Sequence, residues 1–327
     1  MTKAIVEHDQ ALSWEEYEIP REVTGGLVAI DVAWAGVNRA DLAQRAGHYP
    51  APPGASKILG LEVSGYVAAV GPEVTHVKPG DAVCALLTGG GYATHVVVPG
   101  KQVLPIPEGL TLRQAAAIPE VFATAWLNLY DEAALEPGER VLLHAAASGL
   151  GTAVIQLATS LGNPVFATAG SDDKLAVCRE LGASGTWNRH KGSFVEAVRQ
   201  WGGVDMVLDP VGGDYLLDDQ KVLNAEGRIT QIGMLGGRFA KIDLGLLLMK
   251  RQRLIGSTLR SQSLAVKGKV MKALYDRVWP LLSAGQIVPV IDQCWPIEQA
   301  EEAMAYVAED KNTGKVLLEV AADGQGT

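Results

Sequence analysis

The residues best suited to chemistry lie in Val141-Leu142-Leu143-His144-Ala145-Ala146-Ala147-Ser148-Gly149-Leu150-Gly151-Thr152. An apolar run passes through a turn of small residues into an amphipathic stretch, the order of elements that a dinucleotide-binding loop requires. Against Gly-x-Gly-x-x-Gly, the glycine positions hold Ala146, Ser148 and Gly151. Each keeps the physical requirement. Ala146 permits a tight turn while φ stays negative, Ser148 is small and adds a hydroxyl able to bind phosphate, and Gly151 lets a helix lie close on the strand. That helix, read from Leu150 directly after Gly149, offers unpaired N–H groups and its positive dipole end to a pyrophosphate. Val154, Leu157, Ala158 and Leu161 give it a stripe to face a sheet. The alternative, a glycine-rich turn of an unrelated α/β protein, is outweighed by this context.

The following apolar run bears on the choice of cofactor. In NAD enzymes the second strand usually ends in Asp or Glu, which accepts from the ribose hydroxyls. Here it ends Ala167-Thr168-Ala169-Gly170-Ser171-Asp172-Asp173-Lys174, with Ala169 where the acid would stand. An acid there would repel a 2′-phosphate. Its absence, with Ser171 and Lys174 one helical turn apart and Arg189 further on, favours NADPH. Taken singly, Lys174 or Arg189 would read as a solvated surface charge. Asp172 and Asp173 suit the first turn of the next helix, where the dipole welcomes carboxylates.

The elements around these residues divide the chain. Its 327 residues are long for one core. Up to about residue 120, short apolar runs (27–32, 63–70, 82–87) alternate with Pro/Gly turns, as in a barrel-like β domain. Thr111 and Gln114 form a capping box for a helix from Leu112 that Pro119 should interrupt. From Arg140, strands at 141–145, 164–168, 204–208 and 228–232 alternate with helices at 150–161, 173–181 and 215–223. Repeated β-α units of this kind mark a doubly wound parallel sheet. Beyond Arg260 the reading is a long helix over 266–282, a strand over 289–292, a helix over 298–307 and a strand over 316–320. That segment is expected to rejoin the N-terminal domain, with residues 321–327 frayed.

Composition narrows the partners. A net charge of −9 and pI near 5.2 argue against a nucleic-acid footprint. Cys84, Cys178 and Cys294 have no CxxC spacing, so neither disulfide scaffold nor cysteine zinc knot is expected, and a reducing cytoplasm is the natural home. The first residues lack the pattern of a signal peptide, and no apolar run of ~18 residues is present to cross a membrane.

Specific motifs then accumulate: Val37-Asn38-Arg39-Ala40-Asp41-Leu42, Gly47-His48-Tyr49-Pro50, Gly60-Leu61-Glu62-Val63-Ser64-Gly65, Ala115-Ala116-Ala117-Ile118-Pro119-Glu120, Asp209-Pro210-Val211-Gly212-Gly213 and Asn312-Thr313-Gly314-Lys315. With the loops above, they resemble the quinone oxidoreductase (zeta-crystallin) branch of the medium-chain dehydrogenase/reductases over essentially the whole chain. Within it, the similarity is greatest to the quinone reductases that animals induce in stress and cell-death responses. The resemblance implies an α/β chain. It would pair a GroES-like β-rich catalytic domain over 1–120, completed by 261–327, with a Rossmann doubly wound parallel sheet over 121–260. The positions of the superfamily's catalytic zinc ligands carry Asn38, Leu61 and Glu120, too few donors for a metal that needs about three, and the four-cysteine structural zinc loop is missing. A zinc-free enzyme is expected, its histidines serving in loops and core.

The resemblance also places Asn38 and Tyr49 beside nicotinamide and substrate, Tyr49 either donating its phenolic proton or acting as an aromatic lid. It places Thr124, Val211, Gly233, Met234, Leu259, Arg260 and Asn312 around the cofactor. Asp41 is expected to pair with Arg45 four residues on. The segment 253–259 would be an edge strand joining a homodimer. The function expected is zinc-independent reduction of quinone-like small molecules by NADPH. Reduction of activated C=C bonds and a non-enzymatic NADPH-binding role are the alternatives.

Overall fold

The computed structural model describes residues 2–321 except 10 and 21. Two compact units emerge, Met1–Ala123 with Arg260–Thr327, and Thr124–Leu259.

In the first unit, β1 (Lys3–His8) and β2 (Ala11–Glu16) form an antiparallel ribbon. β3 (Leu27–Val37), β4 (Glu62–Val70), β5 (Ala82–Leu86), β6 (His95–Pro99) and β7 (Val103–Pro105) build the main sheet. Three helices accompany them, α1 (Arg39–Arg45), α2 (Leu112–Ala115) and α3 (Pro119–Trp126), the last running into the second unit. β3 is the spine, antiparallel to β4 on one side and to β6 over its first half. Its valines and isoleucine at 28, 30 and 32 are buried with Val63, Val83, Val96 and Val98. Full burial of such side chains contributes about 1.5–3 kcal/mol each. The capping box at Thr111 and Gln114 forms as expected, and α2 stops just before Pro119 opens α3.

The second unit is a wound sheet: β8 (Val141–Leu143), α4 (Gly149–Ser160), β9 (Val165–Ala169), α5 (Asp172–Glu180), β10 (Gly185–Asn188), α6 (Val195–Trp201), β11 (Val204–Asp209), α7 (Tyr215–Val222), β12 (Leu223–Gln231), α8 (Leu244–Met249) and β13 (Arg253–Gly256). Its order is β10-β9-β8-β11-β12-β13, and every pairing is parallel. The chain works outward from β8 in one direction, then returns to lay β11 on β8's other side. That reversal between β8 and β11 is the topological switch point, where ligands of such sheets bind at the carboxyl ends of the strands. Leu142, Val207 and Ile229 fill the core beneath it.

The chain closes with α9 (Leu264–Arg277), α10 (Trp279–Ser283), β14 (Ile291–Pro296), α11 (Ala300–Ala308) and β15 (Lys315–Glu319). β15 lies between β14 and β3 and completes the first unit's sheet. The single helix expected over 266–282 is two helices, broken at Val278 because Pro280 enters the first turn of α10 without an N–H to give. The strand expected over 289–292 runs instead from Ile291 to Pro296. Except for Ala321, the tail expected to fray lies outside the described residues.

Candidate functional site

The loop after β8 is tied to its neighbour, since Ala146 N–H donates to the Thr168 carbonyl at 2.9 Å. Positive φ falls on Ala145 (50°), one residue before the position the glycine pattern indicated. Ser148 is the N-cap of α4, and its Oγ accepts from Gly151 N–H at 3.0 Å. The hydroxyl expected to bind phosphate thus has its oxygen engaged in capping, with its own proton left to donate. Gly151 is required sterically: a Cβ there would stand 2.3 Å from the Ala146 oxygen. The first N–H groups of a helix have no partner within it, and with the third taken by Ser148 the turn presents those of Gly149 and Leu150.

The end of β9 shows the same economy. Ser171 caps α5 by accepting from Lys174 N–H at 3.2 Å, and Asp172 and Asp173 occupy the first turn as expected. Hydrogen bonds from Asn188 and then Lys191 hold the Asp172 carboxyl below its usual range. Arg189 follows β10, and pairing of β10 with β9 brings it back over Gly170. A Cβ at Gly170 would lie 3.2–3.4 Å from the Arg189 guanidinium. A cation therefore covers the strand end where NAD enzymes carry an acid, beside the buried Ala169.

Beyond β11, Asp209 Oδ1 accepts from the N–H groups of Val211 (2.6 Å) and Gly212 (3.0 Å). Gln231 Nε2 donates to the carbonyls of Asp209 and Gly233, lacing the loops after β11 and β12 together. The fold thus gathers Ser148–Gly151, Gly170–Lys174, Arg189, Val211 and Gly233 at the carboxyl ends of the sheet. Met234 is exposed, Leu259 is buried after β13, and Thr124 sits in α3 with its carbonyl accepting from Asn128. Below the loops, buried His144 joins Thr168 Oγ1 and Asp219 Oδ1, each at 2.8 Å. Burial opposes protonation of this imidazole, but the adjacent Asp219 outweighs it and holds the pKa above the ordinary value.

In the first unit, Asn38 caps α1, and Lys315 and Glu62 clamp its amide. Asn38 Nδ2 donates to Glu62 Oε1 (2.9 Å) and the Gly36 carbonyl (3.3 Å), while Lys315 Nζ donates to Asn38 Oδ1 (2.8 Å). Both amide protons are used, so Asn38 has only a lone pair to offer a ligand. Lys315 also donates to the Val37 carbonyl and to Glu62 at 2.5 Å, and Glu62 Oε2 accepts from Glu120 N–H at 2.9 Å. Lys315 and Glu62 are 3% and 0% exposed. The motifs contained both residues without assigning them a role. A charged residue at the edge of an apolar strand run was the available signal.

Asp41 does not pair with Arg45. Its carboxylate accepts from Asn38 N–H, Gly60 N–H and Tyr92 Oη, and burial raises its pKa to about 6 against those bonds. Arg45 turns to Glu301 and Glu7 instead. Arg260 spans the Tyr49 loop: Nε donates to the Thr88 carbonyl, Nη1 to the Tyr49 carbonyl at 3.3 Å, and the guanidinium lies 5.6 Å from the Tyr49 ring centre. Asn312 Nδ2 donates to the Gly314 carbonyl, bracing the turn before β15.

Zinc does not fit this donor set. Leu61 is buried and has no donor, the Asn38 amide is committed, and Glu120 is a single carboxyl. Among the described residues no group of three His, Cys, Asp or Glu is arranged to hold a metal. Burial, with Glu62 alongside, raises Glu120 to about 8, so it is largely protonated at neutral pH.

Residues 24–108 match the family model for the alcohol dehydrogenase GroES-like domain, and residues 149–275 that for zinc-binding dehydrogenase. Quinone oxidoreductase-like protein 2 of Bos taurus is 36% identical over 306 residues, 91% of this chain and 86% of its own. The chain belongs to the quinone oxidoreductase branch of the medium-chain dehydrogenase/reductases. Its two units are that superfamily's GroES-like and Rossmann-like folds. The quinone oxidoreductase of Thermus thermophilus, also solved with NADPH, is 32% identical with a TM-score of 0.83, covering 98% of this chain and 100% of that one. CurK enoyl reductase is 27% identical with a TM-score of 0.85, covering 98% and 99%. In this quinone oxidoreductase-branch chain, Glu62 and Lys315 bind each other and Asn38.

Proposed function

We propose that the chain is an NADPH-dependent, zinc-independent reductase of quinones. Arg189 over Gly170, with Ala169 in place of an acid, carries the cofactor reading, since a guanidinium suits a 2′-phosphate that a carboxylate would repel. The residues fit such a cofactor: the small-residue turn and Gly151 permit close backbone approach, and the start of α4 offers N–H groups to the pyrophosphate. Ser148, Gly149, Leu150, Gly151, Gly170, Ser171, Lys174, Arg189, Val211, Gly233 and Met234 would hold it, with Thr124, Leu259, Arg260 and Asn312 proposed as further contacts. When bound, the cofactor supplies hydride.

The chain's own contribution is positioning. Arg260 fixes the Tyr49 loop through its carbonyl and ring, so that Tyr49 orients the acceptor and its phenol is a donor to the acceptor's oxygen. Asn38 acts through the rigidity that Glu62 and Lys315 impose on it. The quinone assignment rests on the names of the relatives. Likeness to an enoyl reductase favours reduction of activated C=C bonds as the second reading.

We further propose a homodimer joined along β13. That strand is the edge of its sheet, and Phe239, Leu248 and Met249 nearby in sequence are 87%, 75% and 82% exposed, an apolar surface that needs cover. Three free cysteines suit a reducing cytoplasm, and no helix among the described residues is long and apolar enough to cross a membrane. The function is tested by kcat/KM with NADPH and NADH against para-quinones, enones and enoyl thioesters. Quinone turnover with NADPH preferred is expected. Absence of NADPH oxidation with every quinone would refute the assignment, and a higher value for enones would favour the second reading.

A further inference from the structure

The first unit contains a cavity of about 720 Å3, within the size range of small-molecule sites. Ile58, Leu87 and Val96 supply apolar wall, and Arg260 and Lys267 also line it. These two cations are 3% and 4% exposed. Lys267 Nζ donates to Thr88 Oγ1 (2.8 Å) and the Arg260 carbonyl (2.6 Å), both neutral acceptors. Arg260 also donates only to carbonyls, and its Nη2 is buried with no hydrogen-bond partner. Neither cation is in ion-pair contact with a carboxylate among the described residues. Gly89 is the cavity residue beside Nη2, and a Cβ there would stand 3.4 Å from it. His95 Nε2, on a residue lining the same cavity, is a second buried polar atom without a partner, its Nδ1 being bonded to Asp31.

Burial draws both cations below their ordinary pKa values. For Lys267, Glu120 opposes the fall and the neighbouring guanidinium adds to it. Glu120, mostly protonated at neutral pH, compensates little. Two buried positive charges without a contacting anion are costly, and an incoming anion relieves that cost while satisfying the idle N–H groups.

We infer that this cavity is an oxyanion-binding site, in which Arg260 and Lys267 take the carboxylate or phosphate ester of a small molecule whose apolar body rests on Ile58, Leu87 and Val96. The planar guanidinium suits either group, and the ammonium adds a point charge beside it. The inference shares Arg260 with the reductase reading but fails separately from it, because binding is measured without turnover.

Isothermal titration of the full chain with benzoate, phenyl phosphate and benzamide tests it. At least one anion should bind ten-fold or more tightly than benzamide, and the tighter one identifies the group preferred. Lys267→Gln and Arg260→Gln should each weaken that anion at least ten-fold and leave benzamide unchanged, in proteins whose circular dichroism matches the parent. In case neither variant folds, crystals of the unaltered protein with 4-bromobenzoate provide the decision. A bromine anomalous peak in this cavity supports the site, and peaks only elsewhere overturn it. Anions that bind no better than benzamide, undiminished binding in a folded variant, or loss of benzoate binding when NADPH is saturating would also overturn it, the last because the oxyanion would then be the cofactor's own.

Discussion

Replacing Lys315 by Met tests whether the Glu62–Lys315 pair organises the first unit. Methionine keeps most of the apolar stem and removes the ammonium. The change leaves Glu62, wholly buried, with only Asn38 Nδ2 and Glu120 N–H as donors. It also strips a donor from the Val37 carbonyl and Asn38 Oδ1. Breaking a buried pair from one side costs about 3–5 kcal/mol, most of it from the stranded charge. At roughly 2–4 °C per kcal/mol for a unit of this size, Tm should fall by about 6–20 °C. The double variant Lys315→Met with Glu62→Gln has no stranded charge, and its amide can both accept and donate, so at least half of the loss should return. Scanning calorimetry and urea unfolding at pH 7 measure both proteins. Activity should not recover with stability, because the Asn38 amide and the Glu120 backbone hang on the Glu62 carboxylate. A single variant within about 1 kcal/mol of the parent, or a double variant no more stable than the single, would refute the reasoning.

Arg189→Ala removes the cation over Gly170. A charge-assisted hydrogen bond contributes about 1.5–3 kcal/mol, so NADPH affinity should fall about 10- to 150-fold while NADH affinity barely moves. Fluorescence titration reads this, and equal losses for both cofactors would argue against a 2′-phosphate contact. Gly151→Ala puts a methyl 2.3 Å from the Ala146 oxygen, so the start of α4 must shift. Stability should drop by about 1–3 kcal/mol and NADPH binding weaken at least ten-fold, whereas an unchanged Kd would contradict the close approach. Glu120, with its folded pKa near 8 against 4.5 for an ordinary glutamate, binds its proton more tightly folded than unfolded. Its contribution to stability is therefore complete below about pH 4.5 and lost as pH rises through 8. At about 1.4 kcal/mol per unit, and reduced for partial exposure, the loss is about 2 kcal/mol. Urea unfolding at pH 5 and pH 8.5 should show Glu120→Gln with a flatter dependence than the parent, and an equal slope in both would remove Glu120 from the explanation.

Local rules made part of this legible. Thr111 and Gln114 lie three residues apart and cap each other, so the start of α2 could be read directly. The β8–α4–β9 unit showed through its apolar runs and small-residue turn, and the aspartates opening α5 through the helix dipole. The segments left unread, such as β7, α6 and α8, are three to seven residues long, too short for periodicity to separate from turns. Pro280 was a visible helix breaker, but the apolar spacing across it masked the break.

By itself, the sequence determined the wound sheet, the small-residue turn between β8 and α4 and the absence of an acid at Ala169, because each depends on residues close together along the chain. Tertiary structure decided how the charges were used. Asp41 had an arginine at the right helical spacing, yet the fold buried it and gave it the donors of Gly60 and Tyr92, while an exposed pair with Arg45 would have contributed little. Glu62 and Lys315 stand 253 residues apart in the chain, and Arg189 meets Gly170 only because β10 pairs with β9. Glu62 and Lys315 find each other because strand pairing removes them both from water, and residue spacing carries no record of that.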